Sequence, residues 1–373
     1  MVQGMQSPHK SRARETGASE AVSAIYTEGD TLYDAMLADI AAARYQVALE
    51  SYIFADDEIG ARFTDALLAA ARAGRQVRVL IDAVGSRNLA TPAMVSQLMR
   101  GGVEVRWFHP WSWRHPARYM KRDHRKLLVT DGARAYLGGF NVHRESSRRI
   151  VGSRRWRDTH VRVEGRLADD AAQTFDLMWD PARGLHEGDG ADAGTFLIST
   201  DGRVARRELR TLLVQAFDSA RRHILLTTPY FVPDRFVQRA LRRAAQRGVA
   251  VHVLVPAMSD VPMAQWAARA VYGNLLSEGI RIHEYLPRVM HAKTTVVDGC
   301  WATVGTANMD YWSLLSNYEL NLVSEETDLI ARLEADFHND LEQSRHIETK
   351  TWDARGVGDR AVEFIGWLAR HWL

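Results

Sequence analysis

One pattern of 18 residues occurs twice in this chain, and it constrains the fold more than any other feature. The first copy is HRKLLVTDGARAYLGGFN at 124–141, and the second is HAKTTVVDGCWATVGTAN at 291–308. The residues that recur at the same offsets include His124/His291, Lys126/Lys293, Asp131/Asp298, Gly132/Gly299, Gly138/Gly305 and Asn141/Asn308. A repeat of this specificity predicts two copies of one structural unit.

The same order of elements precedes each copy of the pattern. The first element is an apolar run that ends in acidic residues, and it is followed by a helical stretch that ends at a glycine. A second apolar run comes next, and another helical stretch then leads to a third apolar run. The apolar runs are 46–57, 77–82 and 101–108 in the first half, and 223–234, 251–256 and 278–285 in the second. This β-α-β-α-β order predicts an α/β fold whose sheets are mostly parallel and covered by helices. The Asp-Gly pairs within the repeated pattern predict a tight hairpin turn.

Composition places the domain boundaries. Residues 181–198 are rich in Gly, Asp and Ala without periodicity and are predicted to link a first repeat, 21–180, to a second repeat, 199–348. Residues 1–20 are polar and predicted to form a flexible tail, whereas 349–373 form an amphipathic segment that fits either a membrane interface or packing onto the body. We therefore expect two homologous α/β/α halves that form an internal pseudo-dimer.

The use of cysteine and lysine narrows the chemistry. The single cysteine, Cys300, excludes an internal disulfide and a cysteine-rich zinc site. Lys and Arg together number 48, yet only five are lysines, and two of these five stand in His-x-Lys triplets. A compact ammonium group is therefore expected to matter there. No apolar run approaches the roughly 18–20 residues that span a bilayer, and no secretion signal is evident, so we expect a soluble or peripheral protein.

The repeated pattern predicts one composite site. Residues i and i+2 of a strand face the same side, so His124 and Lys126 project together, as do His291 and Lys293. Duplication is expected to bring both pairs to one seam, with the carboxamides of the two motif asparagines, Asn141 and Asn308. Imidazole can act as a nucleophile or an acid, and ammonium and amide groups suit the oxygens of a phosphodiester. This chemistry requires no metal and no other cofactor.

The two motif aspartates, Asp131 and Asp298, complete the repeated set of motif residues. We expect them mainly to hold a turn or a structural ion pair, although they belong to the same motif as the histidines and lysines.

The paired blocks resemble those of the phospholipase D superfamily. Further segments, YIFADDEIG, WRDTHVRVEG, TPYFVPD and SLLSNYELNL, are similar to bacterial cardiolipin synthases, in particular to the branch without transmembrane helices. The resemblance implies two phospholipase D-like halves with one shared active site. It also implies a phosphohistidine formed on His124, with His291 as the acid, and an acidic residue downstream of each motif that orients its histidine. These acids are Asp158 in the first half and Glu319 in the second.

The function implied by the resemblance is phosphatidyl transfer. Phosphatidylglycerol would condense with a second phospholipid, expected to be another phosphatidylglycerol, with release of glycerol. The alternatives are a phospholipase D-type hydrolase or a nuclease or other phosphodiesterase of the same superfamily, and a lipid-binding protein without activity. Nothing in the sequence resembles a module for base stacking, so nucleic acid is an unlikely partner, and no partner protein is evident. Both intact His/Lys/Asn sets argue against an inactive scaffold.

An insertion distinguishes the two halves. Phe108 precedes His124 by 16 residues, whereas the matching Tyr285 precedes His291 by only 6. The inserted segment carries Trp111 and Trp113 among arginines, a composition typical of the membrane interface. We therefore expect these indoles to contact an anionic phospholipid membrane, with the protein peripheral to the cytoplasmic side of the bacterial cell membrane. The arginines of 144–157 suit either a solvated face or attraction to anionic lipid.

Overall fold

The computed structural model describes residues 22–181 and 194–356, together with Glu363, Gly366 and Leu368. The predicted tail at 1–20, most of the predicted linker and most of the C-terminal segment lie outside the described residues. Within the described part, the chain forms two mixed sheets, each covered by helices.

The first half is built on a seven-stranded sheet. Its strands are β1 (Val22–Tyr26), β2 (Gln46–Ser51), β3 (Gln76–Asp82), β4 (Glu104–Phe108), β5 (Lys126–Thr130), β6 (Arg134–Gly138) and β7 (His160–Glu164). Its helices are α1 (Gly29–Ala42), α2 (Glu58–Arg72), α3 (Pro92–Arg100), α4 (Pro116–Tyr119), α5 (Arg148–Val151) and α6 (Arg166–Trp179), with 3-10 turns at Arg144–Ser146 and Gly152–Arg154. The strand order is β1-β7-β6-β5-β2-β3-β4.

The second half repeats this order with one strand added. Its strands are β8 (Thr195–Ser199), β9 (His223–Thr227), β10 (Ala250–Pro256), β11 (Arg281–Tyr285), β12 (Thr294–Val297), β13 (Trp301–Gly305), β14 (Leu320–Ser324) and β15 (Ser344–His346). Its helices are α7 (Arg203–Ser219), α8 (Arg235–Gln246), α9 (Pro262–Leu276), α10 (Tyr311–Leu315), α11 (Thr327–Glu342) and α12 (Thr349–Asp353). The order β8-β14-β13-β12-β9-β10-β11-β15 matches the first sheet strand for strand, with β15 at the edge.

The predicted α/β fold of two homologous halves is confirmed, but the prediction of mostly parallel sheets is wrong. Only β2-β3-β4 and β9-β10-β11 are parallel runs. The motif hairpins fold back, so that β5 and β12 pair antiparallel with β2 and β9 at the centre of each sheet. Strand β8 begins at Thr195, within the range predicted as linker, and pairs antiparallel with β14.

Local sequence signals explain the repeated elements. The Asp57 and Asp234 side chains each accept two backbone N–H hydrogen bonds at the first turn of α2 and α8, which satisfies otherwise unpaired donors. In the motif hairpins, Asp131 and Asp298 both have φ of 55°, and the glycines that follow have φ of 67° and 66°. Two consecutive residues with positive φ are typical of the type I′ turn, whose twist matches that of the flanking strands.

An apolar core joins the two halves. One cluster of buried side chains contains Leu127, Leu137 and Val161 from the first sheet and Val304 and Leu322 from the second. Burial of this shared surface fixes the two motif hairpins relative to each other, because core packing is dense and resists displacement. The residues that precede β5 and β12 thus meet at the seam between the halves.

Candidate active site

Each motif histidine is attached through its backbone to the opposite half. The His124 N–H donates to the carbonyl oxygen of Tyr318 at 2.9 Å, and the His291 N–H donates to that of Arg157 at 2.7 Å. Isolated β-bridges next to these bonds pair Asp123 with Tyr318 and Arg157 with Met290. Tyr318 and Arg157 immediately precede Glu319 and Asp158 in the chain. The bridges therefore position Glu319 beside His124 and Asp158 beside His291.

The histidine–carboxylate pairs are therefore crossed. His124 Nδ1 lies 3.0 Å from Glu319 Oε2, and His291 Nδ1 lies 2.6 Å from Asp158 Oδ2. The expectation that each acid orients the histidine of its own half is wrong, because the pseudo-two-fold packing places each acid across the seam. With Nδ1 engaged by a carboxylate, Nε2 of each imidazole is the nitrogen left for chemistry.

Motif glycines permit this close approach. A Cβ atom at Gly139 would lie 1.9 Å from Asp158 Oδ1, and one at Gly305 would lie 2.5 Å from Asn321 Oδ1. The segments that carry the two acids thus pass directly over the ends of the motif hairpins. A side chain at either glycine would displace the strand next to the acid.

The two acids have different surroundings. Glu319 Oε2 also accepts from the Thr306 hydroxyl at 2.6 Å, and Asp158 Oδ1 accepts from the Thr159 N–H at 2.8 Å. Burial acts to raise the pKa of Glu319, but the charge that His124 carries when protonated, together with its hydrogen bond, outweighs burial and holds that pKa below its usual range. Burial raises the pKa of Asp158 above its usual range, despite the opposing charge of Lys293.

The motif lysines lie beside the histidines. Lys126 Nζ donates to the carbonyl oxygen of His124 at 2.6 Å and sits 5.1 Å from the centre of the Tyr52 ring. Lys293 Nζ lies 2.7 Å from His291 Nδ1 and also contacts the His291 carbonyl oxygen. Burial, reinforced by the charge of Lys293, lowers the pKa of Lys126 to about 7, and burial lowers the pKa of Lys293 to about 8.

Both imidazoles are held neutral near neutral pH. Burial lowers the pKa of His124 while Glu319 partly opposes this effect, and burial together with the charge of Lys293 holds the pKa of His291 well below its usual range. A neutral imidazole is the nucleophilic form. An anionic phosphodiester near these groups would raise the pKa of both histidines and both lysines.

The motif asparagines are buried at the ends of the hairpins, at 2% exposure for Asn141 and 4% for Asn308. Asn141 Oδ1 accepts from the Ile53 N–H at 3.1 Å, and Asn308 hydrogen-bonds to the Asp310 carboxyl group. Their orientation of a phosphate remains a prediction.

The motif aspartates are far from this cluster. Asp131 accepts three backbone N–H hydrogen bonds from Arg44, Tyr45 and Gln46 at 2.7–2.9 Å. Asp298 accepts the equivalent three from residues 221–223. Four strand residues lie between Lys126 and Asp131, which corresponds to a distance of roughly 16 Å along the strand. These aspartates hold the hairpin turns and lie away from the histidines and lysines of the same motif, so they are not catalytic residues.

Aromatic neighbours that the sequence did not assign complete the site. The Tyr52 ring meets His124 edge-on with centroids 5.0 Å apart, and Trp156 lies 5.2 Å from His291. Burial also lowers the pKa of His143 to about 4 and that of His160 to about 3, so both are neutral near Asp158. The sequence held no signal for His143 and His160, because neither residue has a histidine counterpart in the other repeat.

The inserted segment presents its indoles to solvent. Trp111 and Trp113 are 65% and 78% exposed, and the Arg114 guanidinium lies 5.2 Å from the Trp113 ring. The segment is anchored next to the site, since Arg122 pairs with Asp82 at 3.4 Å and the Asp123 N–H donates to the same carboxylate.

Within 22–181 and 194–356, no helix is long and apolar enough to cross a bilayer. Over the same residues, no group of three or more His, Cys, Asp and Glu side chains is placed to hold a metal ion.

The fold and the crossed histidine pairs define a phospholipase D-like enzyme. Residues 36–179 and 213–341 match the family described as "Cardiolipin synthase, PLD-like domain". This chain belongs to that family, whose members are phosphatidyltransferases of the phospholipase D superfamily.

Similar proteins agree with this assignment. The chain is 34% identical to the cardiolipin synthase of Oceanobacillus iheyensis, over 92% of this chain and 74% of that protein. It is 32% identical to the major cardiolipin synthase ClsA of Bacillus subtilis, over 92% of this chain and 74% of that protein. Among solved structures, phosphatidylserine synthase of Haemophilus influenzae superposes with a TM-score of 0.73 at 12% identity, covering 95% of this chain and 94% of that one. This last likeness concerns the fold alone.

Proposed function

We propose that this protein makes cardiolipin by transferring a phosphatidyl group from phosphatidylglycerol to a second phospholipid, with release of glycerol. The observation that carries the proposal is the seam at which two buried histidines, each held by a carboxylate of the other half, meet two buried lysines. Membership of the cardiolipin synthase family and similarity to cardiolipin synthases of other bacteria support the choice of phospholipid substrates.

In the first step, His124 Nε2 attacks the phosphorus of phosphatidylglycerol. The bond from phosphorus to the glycerol oxygen breaks, and His291 gives its proton to that oxygen, so that glycerol leaves. His291 acquires this proton as the anionic diester enters, because the added negative charge raises its pKa. The product is a phosphatidyl group bound to His124.

In the second step, a hydroxyl group of the acceptor phospholipid attacks the same phosphorus. His291 accepts the hydroxyl proton, the phosphorus–nitrogen bond breaks, and cardiolipin leaves with both histidines restored. Glu319 stabilises the charge that develops on His124, in the manner of a carboxylate behind a catalytic imidazole. The ammonium groups of Lys126 and Lys293 stabilise the non-bridging oxygens of the transition state, and Asn141 and Asn308 orient the phosphate.

The site favours transfer over hydrolysis where water is kept away from the phosphohistidine. The membrane supplies such conditions, and the exposed Trp111 and Trp113 lie on the segment that leads into His124. We infer that this segment docks on anionic phospholipid, with the protein peripheral to the cytoplasmic side of the membrane.

Product analysis tests the proposal. Purified protein is incubated with phosphatidylglycerol vesicles in the presence of EDTA, and lipids and free glycerol are measured by mass spectrometry. Cardiolipin and glycerol should form in equal amounts. Phosphatidic acid as the main product would establish a hydrolase instead, and cleavage of DNA without any change in the lipid would establish a nuclease.

A further inference from the structure

At one position near the pseudo-symmetric site, the second half has a carboxyl group where the first half has a neutral hydroxyl. Strands β3 and β10 end at Asp82 and Pro256, and four residues further on the first half has Ser86 where the second half has Asp260. Ser86 is buried, and its hydroxyl forms hydrogen bonds within its own half. It donates to the Tyr52 carbonyl oxygen and accepts from the Phe54 N–H, both at 2.9 Å. Asp260 is exposed.

Asp260 is held by a single phenol. The Tyr230 hydroxyl lies 2.8 Å from both Asp260 carboxylate oxygens. Burial, followed by the charge of Asp260, holds the pKa of Tyr230 well above its usual range, so the phenol remains a donor. Across the described residues Asp260 forms no ion pair with Lys or Arg within 4.0 Å, and each of its oxygens keeps lone pairs for further donors.

This carboxylate is near enough to the catalytic cluster to act on it electrostatically. Its charge acts to raise the pKa of His291 and that of Lys293, against the larger effect of burial. A second carboxyl group on the same side, Asp310, accepts from the Ser313 N–H at 2.7 Å and also acts on Lys293. The residue of the first half that matches Asp310 is His143. Asp260 and Asp310 thus place two carboxyl groups near Lys293, at positions where the first half has Ser86 and His143.

The neighbourhood of His291 is where an alcohol must sit. In the proposed mechanism this imidazole exchanges a proton with the leaving glycerol and then with the attacking hydroxyl. A carboxylate at this place accepts hydrogen bonds from neutral hydroxyl groups and repels anionic headgroups.

We propose that Asp260 and Tyr230 form the subsite for a polyhydroxy headgroup, in which the free hydroxyls of a glycerol unit donate to Asp260. The inference rests on the proposed function, since it assigns a subsite to that reaction. A site that hydrogen-bonds a substrate hydroxyl discriminates strongly against an analogue that lacks it. The subsite therefore selects glycerol-like alcohols over alcohols with a single hydroxyl.

A competition between two acceptors tests this subsite. The enzyme receives phosphatidylglycerol as donor together with equal concentrations of deuterated glycerol and 1-propanol, and mass spectrometry measures labelled phosphatidylglycerol against phosphatidylpropanol. Both products arise from one phosphoenzyme, so their ratio does not depend on the donor step. The wild type should favour glycerol, and Asp260→Asn should lower the ratio about tenfold, the size expected for a hydrogen bond to a charged group.

Two further variants separate recognition from structure. Tyr230→Phe keeps the ring but releases Asp260, and it should lower the ratio in the same direction by a smaller factor. Asp218→Asn is the control, because Asp218 is an exposed carboxylate paired with Arg243 outside the site, and its ratio should equal that of the wild type.

The outcomes distinguish the two proposals. Loss of both products with an unchanged ratio in Asp260→Asn and Tyr230→Phe would overturn the subsite, as would a wild type without preference for glycerol. If the wild type transfers to neither alcohol and makes no cardiolipin, the proposed function itself fails.

Discussion

Glu319 Oε2 lies 3.0 Å from His124 Nδ1, although 195 positions of the chain separate the two residues. The reciprocal contact of Asp158 with His291 crosses the seam in the opposite direction. Each half therefore contains one imidazole and the carboxylate that supports the other imidazole. Neither motif histidine is paired with a carboxylate of its own half, so we expect catalysis to require that both halves be docked.

The crossed pairs predict that a substitution of Asp158 affects the role of His291, and that a substitution of Glu319 affects the role of His124. Asp158→Asn should impair proton transfer by His291, so that phosphorylated protein accumulates. Glu319→Gln should slow formation of that phosphoenzyme, because it weakens the support of His124. Each variant should lose on the order of 10²–10⁴-fold in turnover, the range of general acid–base catalysis. Rapid quenching with radiolabelled donor lipid followed by gel analysis measures the trapped protein. Accumulation in Glu319→Gln but not in Asp158→Asn would contradict these assignments.

The histidine roles predict a related pattern. His124→Ala and His291→Ala should each remove nearly all turnover while circular dichroism shows an intact fold. A phosphorylated protein should be trapped in His291→Ala and not in His124→Ala, because only His124 forms the covalent bond. The reverse pattern would exchange the two roles, and full activity in either variant would exclude a mechanism with two histidines.

The lysines predict an alkaline loss of activity. Lys126 and Lys293 are cationic below their pKa values of about 7 and about 8, and they lose this charge as the pH rises through that range. Because binding and cleavage of the anionic phosphodiester require the positive charge of these lysines, kcat/KM should fall between about pH 7 and pH 8. The corresponding fall in kcat should occur at higher pH, since bound phosphate raises the pKa of both lysines. A short-chain soluble phosphatidylglycerol is the appropriate substrate, and a kcat/KM that stays level up to pH 9 would argue against the buried lysine pair.

The inserted segment predicts a defect confined to membranes. Replacing Trp111 and Trp113 with Ala should weaken binding to anionic vesicles by about tenfold, because interfacial indoles lose their contact with headgroups. Activity on vesicles should fall with binding, whereas activity on a short-chain soluble substrate should change little. Tyr45→Ala provides the control, since this aromatic ring is 73% exposed beside the distant Asp131 turn. Equal losses on both substrates would show that the indoles support the fold or the site.

The turn aspartates predict a loss of stability rather than of chemistry. Burial acts to raise the pKa of Asp131, but hydrogen bonds from three backbone N–H groups outweigh it and lower that pKa. The stabilisation is therefore present above the ordinary pKa of an aspartate and disappears as the pH falls through the lower, folded value. Asp131→Ala should lower the free energy of unfolding by about 1–2 kcal/mol at neutral pH, with a smaller loss for Asp131→Asn. Denaturant titration measures both, and a large loss of activity per folded molecule in Asp131→Ala would return Asp131 to the site.

The amino-acid sequence determined the features that depend on local order and on repetition. The His-x-Lys spacing predicted that His124 and Lys126 project together, although His124 lies two residues before β5, and the Asp-Gly pair at 131–132 specified the hairpin turn through its positive φ angles. The repeated pattern alone was enough to predict two homologous halves and one site built from both histidines.

Only the tertiary structure decided which acidic side chain pairs with which motif histidine. A sequence repeat does not state whether Asp158 serves its own histidine or the other one, because that choice depends on packing between β-sheets that are far apart in the chain. The prediction of mostly parallel strands was wrong for a similar reason, since an apolar run has the same period in a parallel and an antiparallel sheet. The electrostatic effect of Asp260 on His291 also depends on tertiary structure, although both residues belong to the second half, because side chains remote in sequence come together only when burial of an apolar core fixes the elements that carry them.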